Sequence, residues 1–189
     1  MKYSLQFRVW HWVNAFVILG LLGTVFLRKT FLSWRTNSEI LLQKLSEMSI
    51  DITAEQAKIL AKAVRAGMWE WHIILGYLLA ALILYRLFLF LRDSSERVAF
   101  SELSNHKKGV RLLYFIFYAV VLFMSISGLV IHFYEALNIT KEKAHDIKEV
   151  HEALYNFFLV FVPMHIAGVV IAESKDERGL ISSMVHGKA

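Results

Sequence analysis

Cysteine is absent from this chain of 189 residues. That excludes disulfides, Cys-ligated iron–sulfur clusters and covalently attached c-type haem. It also leaves the redox compartment unread. Neither an internal repeat nor a low-complexity segment is present. No stretch alternates apolar and polar residues as a membrane β-barrel requires, and open sheets are excluded because lipid satisfies no backbone polar groups. Charged residues make up only 20%, with a formal net charge of +5. A basic balance suits anionic lipid head groups. It does not indicate nucleic acid, because the basic residues lie between apolar segments and form no stripe. What fills the chain is apolar: 57% of residues are hydrophobic and mean hydropathy is +0.48, more than a soluble domain of this size needs.

Four apolar runs are long enough to span a bilayer, which takes ~20 residues of helix. They cover about residues 9–27, 71–91, 112–134 and 153–172, and Arg86 is the one charge within them. The first is not a cleavable signal peptide: it is long, and Arg28, Lys29 and Thr30 follow it where a small-x-small site would stand. The expected fold is all-α, an integral membrane four-helix bundle forming a single domain over residues 1–189.

The first connection, Arg28 to Glu70, is long and amphipathic. Asn37 or Ser38 is placed to cap a short helix through Met48. Thr53 with Gln56 has the pattern of a capping box opening a second helix through about Arg65. Residues 37–66 therefore form a helical hairpin on the membrane surface, either an interfacial cap or a docking platform. The second connection, Arg92 to Arg111, is basic; the third, Glu135 to Glu152, is mixed in charge. Four spans put both termini on one side. With the second connection, that side holds Lys2, Arg8, Arg92, Arg97, Lys107, Lys108, Arg111, Lys175, Arg178 and Lys188 against six acids. The other side holds ten Lys and Arg against ten acids, but seven of those ten lie in the long connection, where the positive-inside rule weakens. This places the termini in the cytoplasm.

An ionisable group inside a membrane segment is a functional candidate. His11 opens the first run, His72 the second, His151 the fourth, and His165 lies within the fourth. His151 and His165 are 14 residues apart. On a helix that is ~21 Å along the axis and within ~40° of the same face. They cannot share one metal ion, which rules out a single zinc site built from all four. The alternation of the spans puts His11 and His165 at the inner level and His72 and His151 at the outer. Two imidazoles on different helices at each of two levels suit two stacked haems, each with both axial positions filled. Gly76 follows His72 by one turn and Gly168 follows His165 by three residues, leaving room for a macrocycle or for close helix packing. Pro163, the chain's one proline, should kink the fourth helix beside His165.

The motifs R-V-W-H-W at His11, W-E-W-H-I-I-L-G-Y at His72, K-E-V-H-E-A-L-Y-N at His151 and P-M-H-I-A-G at His165 resemble the prokaryotic cytochrome b561 family. That family is related to the cytochrome b subunits of nickel–iron hydrogenases. The resemblance covers nearly the whole chain outside the first connection. It implies two non-covalent b-type haems in a four-helix bundle of the bacterial inner membrane, with the same pairing of histidines. It implies electron transfer between the membrane quinone pool and a soluble or membrane redox protein. Some members are superoxide:quinone oxidoreductases and others anchor a hydrogenase or dehydrogenase. A haem-free transporter or assembly module is the alternative of a different class, and a homodimer is allowed.

Supporting residues carry two readings each. Haem propionates prefer Arg or Lys. Arg8 and Arg86 lie at the level of the inner pair, and the alternative for both is snorkelling to the head groups. His132, near the outer end of the third run, suits a quinone, a propionate or the interface. Asn14 shares a face with His11 and suits a bond to a neighbouring helix. His106, His145 and His186 fall in expected loops or a tail. Trp10, Trp12, Trp34, Trp69 and Trp71 are expected as interface anchors.

Overall fold

The computed structural model describes residues 3–92, 100–175 and 177–187. Lys2, Arg97 and Lys188, counted in the charge balance, lie outside the described residues. The elements are α1 (Leu5–Lys29), α2 (Trp34–Glu47), α3 (Ala54–Val64), α4 (Ala66–Arg92), a short 3₁₀ turn (Phe100–Glu102), α5 (Asn105–His132), α6 (Lys141–Ala153), α7 (Tyr155–Lys175) and α8 (Leu180–Val185). No strand occurs among the described residues. Four helical stretches are long and apolar enough to cross a membrane: Leu5–Lys29, Ala54–Arg92, Asn105–His132 and Lys141–Lys175. The all-α membrane fold expected from the sequence is the fold observed.

The helices outrun the apolar segments that announced them, except that α5 stops at His132, two residues short of the expected end. Hydropathy locates the part immersed in lipid, whereas the hydrogen-bond ladder continues until a cap stops it. Ser104 accepts from the Lys107 amide and starts α5 at Asn105 instead of 112. Thr140 accepts from the Lys143 amide and starts α6 inside the expected third loop. Leu154 keeps helical dihedrals (φ −68°, ψ −11°), so α6 runs on into α7. The pairs His145–Glu149 (3.4 Å) and Lys148–Glu152 (3.6 Å) line this polar extension, each worth ~0.2–0.5 kcal/mol on an exposed helix when both partners are charged. His145 is thus helical, His106 sits in the first turn of α5, and His186 caps α8; the loop assignments for these three are corrected. α7 continues through Pro163 without interruption.

In the hairpin, α2 begins at Trp34 after an extended Ser33, not at an Asn37 or Ser38 cap. Both residues spend their side chains otherwise: Asn37 Nδ2 donates to the Phe31 carbonyl (3.1 Å) and the Ser38 hydroxyl to that of Arg35 (2.8 Å). α2 ends where Ser49 turns left-handed (φ 61°) and the Ile50 amide reaches back to the Leu45 carbonyl (2.9 Å), a Schellman closure. The Thr53–Gln56 capping box is present in both directions; losing such a cap costs ~1 kcal/mol. Ala57 and Ala61, one turn apart on α3, are fully buried, and their small side chains let α3 pack closely. Arg65 is itself helical (φ −80°, ψ −13°), so α3 passes into α4 and the expected loop up to Glu70 does not exist.

The chain divides into two compact units, Met1–Phe16 with Tyr77–Ala189, and Val17–Gly76. The first unit contains stretches of all four spans. Trp10 is only 4% exposed, and its indole donates to the Leu82 carbonyl across helices (2.8 Å). Such bonds in lipid are worth ~0.6–2 kcal/mol. Trp10 is therefore a packing residue rather than an interface anchor, since its ring and N–H are both used inside the protein. Phe117 stacks on Phe161 at 4.4 Å, with Phe158 edge-on at 6.2 Å. The Glu173 carboxylate accepts from the Gly179 and Ile181 amides and holds the start of α8. In the second unit, a Cβ on Gly20 would come within 3.0 Å of Leu75 Cδ1, so this glycine permits the close approach of α1 and α4.

Candidate functional site

In the first unit, α1 and α7 bring His11 and His165 together. Their ring centroids are 6.1 Å apart and their planes inclined by 50°. A metal–imidazole bond of ~2.0 Å on each side, plus ~1.1 Å from nitrogen to ring centre, adds to ~6 Å, the span of two axial ligands on one ion. Phe161 lies parallel to His165 at 5.9 Å, and Trp12 stands edge-on to His11 at 5.3 Å. The Tyr114 hydroxyl is 3.2 Å from His165 Nδ1. His11 Nδ1 is buried with no hydrogen-bond partner, and so is Asn14 Oδ1 one turn further on. Asn14 therefore does not make the interhelical bond expected of it. The two rings, facing at the span of two imidazole ligands on one ion, fit a haem iron between them.

The other two histidines belong to different units. His72, in the second, has its Nδ1 2.7 Å from the Thr24 hydroxyl and its ring edge-on to Trp69 at 5.5 Å. His151, in the first, lies on α6, and its Nδ1 is 2.8 Å from the Ser127 hydroxyl. A ligating histidine typically uses one nitrogen for the metal and donates the other N–H to a neighbour, and both rings have that neighbour. Among the described residues, no group of three or more His, Cys, Asp or Glu is placed to hold a metal ion. Paired imidazoles on a macrocycle need no such group.

A Cβ built on Gly76 or Gly168 meets no heavy atom within 4 Å. Open space beside the backbone is what a macrocycle needs. Arg86 Nε donates to the Tyr118 hydroxyl (3.2 Å) and its guanidinium lies over the rings of Phe7 (4.9 Å), Trp10 (5.6 Å) and Tyr118 (5.7 Å). Arg8 reaches the Val185 carbonyl of α8 at 3.2 Å, a second use the sequence did not suggest. His132 is exposed at the end of α5, with its ring against Tyr77 (5.9 Å) and Phe133 (4.6 Å).

Thr24, Ser127 and Tyr114 were not singled out by the sequence. The available signal was a hydroxyl within an otherwise aliphatic membrane run, which in lipid seeks a partner.

The sequence model of the family described as prokaryotic cytochrome b561 matches residues 2–187. Neither a curated protein nor a solved structure gives a significant match. With the family match spanning almost the entire sequence and the helices of a multi-pass membrane protein in place, the chain belongs to the prokaryotic cytochrome b561 family and is a membrane b-type cytochrome of electron transfer.

Proposed function

We propose that this chain holds two b haems, one on His11 and His165 and one on His72 and His151, and conducts electrons across the bacterial inner membrane between the quinone pool and a redox protein, with both termini cytoplasmic. The observation that carries this reading is the facing of His11 and His165 at 6.1 Å. The second pair rests on depth: His151 precedes His165 by 14 residues of helix, ~21 Å along the axis. A bound b haem supplies reversible one-electron exchange at its iron. The four imidazoles would hold the two irons and would leave no open position there for oxygen or substrate. The glycines leave the space and the phenylalanines exclude water. Arg8, one turn before His11, and Arg86, at the inner end of α4, are at the level of the inner pair for its propionates.

Quinone suits an apolar site open to lipid. A groove of about 280 Å³ in the first unit is lined by Leu5, Gln6, Val9, Trp10, Val13, Leu82 and Tyr85, close to the lower bound of ~300 Å³ for small-molecule pockets. His132 at the outer end is the other candidate contact. The haem count is the direct test. Acid–acetone extraction and a pyridine haemochrome assay on fully loaded membranes should give two b haems per polypeptide, and a stable value of one removes the two-level arrangement.

The hairpin, in which α2 and α3 lie outside the four apolar runs, is proposed to dock the soluble redox protein. Deleting Ser38 to Ala63 and joining the ends with a short flexible linker should leave both haem spectra and reduction by a quinol analogue intact, while transfer to the partner slows. Unchanged transfer with both haems bound rejects docking. Loss of the outer haem shows that the hairpin covers it.

A further inference from the structure

We propose that the Thr24 and Ser127 hydroxyls are positioning residues that fix the tautomer of His72 and His151 and lower the reduction potential of the haem these histidines ligate. The inference rests on the two-haem reading and extends it to residues outside the ligand set. Thr24 Oγ1 is 2.6 Å from the Leu21 carbonyl of its own helix and 2.7 Å from His72 Nδ1. A hydroxyl has one proton. The carbonyl can only accept, so that proton is committed to Leu21, and Oγ1 has only lone pairs to offer the ring. His72 must then carry its proton on Nδ1, which puts the ligating lone pair on Nε2. Ser127 repeats the arrangement, with Oγ 3.3 Å from the Met124 carbonyl and 2.8 Å from His151 Nδ1. Its back-bond is longer, so the constraint on His151 is looser. Thr24 and Ser127 are 7% and 3% exposed, so water does not compete for either bond.

The inner pair lacks this device. His11 Nδ1 has no hydrogen-bond partner, and Tyr114 beside His165 has no carbonyl fixing the direction of its proton. An Nδ1–H held by an acceptor gives the imidazole more electron density. That favours the oxidised iron, and removing the acceptor shifts the potential upward.

Haem counting on the parent protein comes first: a count of one removes the two-haem reading before any variant is titrated, whereas a count of two with unshifted variants removes only the hydroxyl role. Thr24→Val keeps the shape and removes the acceptor; Thr24→Ser keeps the acceptor. Potentiometric titration should show an upward shift of one redox component in Thr24→Val and in Ser127→Ala, with haem retention weakened roughly tenfold, and parent behaviour in Thr24→Ser. Parent potentials in Thr24→Val and Ser127→Ala overturn the proposal. So does loss of the haem in Thr24→Ser, which would make the methyl rather than the hydroxyl the group that counts.

Discussion

His11→Ala and His165→Ala should each abolish the same haem and leave the other in place. The two rings face each other at 6.1 Å from different helices, so removing either takes one of two axial bonds from a single iron. His72→Ala and His151→Ala should abolish the second haem and spare the first, because ligands ~20 Å apart along a helix cannot serve one iron. Potentiometric titration of the reduced α band separates the components. The parent should titrate as two one-electron steps, and each variant as one. Four variants then sort into two classes. A single haem lost in common by His11→Ala and His151→Ala would contradict both the pairing and the depth assignment.

A comparable loss should follow from adding bulk where no ligand is touched. Gly168→Leu should remove the haem on His11 and His165, and Gly76→Leu the one on His72 and His151. Leucine is a good helix former, and a Cβ at either position meets no protein atom within 4 Å. The apoprotein should therefore insert and fold as the parent does, with unchanged helical circular dichroism. The larger side chain instead occupies space that a macrocycle would need, where overpacking by extra methylenes costs ~1–3 kcal/mol or more. Full haem content in both variants would mean that the glycines face lipid and take no part in the site.

The four spans were legible because uncharged runs near twenty residues have few other uses in a chain like this. The inner pair was legible because depth along a helix is arithmetic on sequence. Other features needed the neighbouring helix. Trp10 sits at a helix start, where tryptophan usually marks the interface; only the position of the Leu82 carbonyl shows that its N–H is used inside the protein. Thr24 and Ser127 bond back to their own helices, as membrane hydroxyls commonly do. Their contact with an imidazole depends on how helices are rotated against one another, which hydropathy does not encode. The extension of the fourth span back to Lys141 was hidden because a charged segment between apolar runs has the composition of a loop. The Thr140 cap and its spaced ion pairs make it helical instead.

That extension changes what kind of object carries His151 and His165. With Leu154 in helical dihedrals, the segment from Lys141 to Lys175 behaves as one screw. A screw ties advance to rotation: each residue moves a side chain ~1.5 Å along the axis and turns it ~100° about it. Had His151 stood on a flexible loop, slack could absorb an insertion or deletion between the two histidines. On a screw, a change of one residue swings one imidazole a quarter-turn or more away from the other's face. Seven residues bring it back to within ~20°. The angular register of these two side chains is therefore set by the backbone before either meets a metal, and the length of chain between them can drift only in near-whole turns.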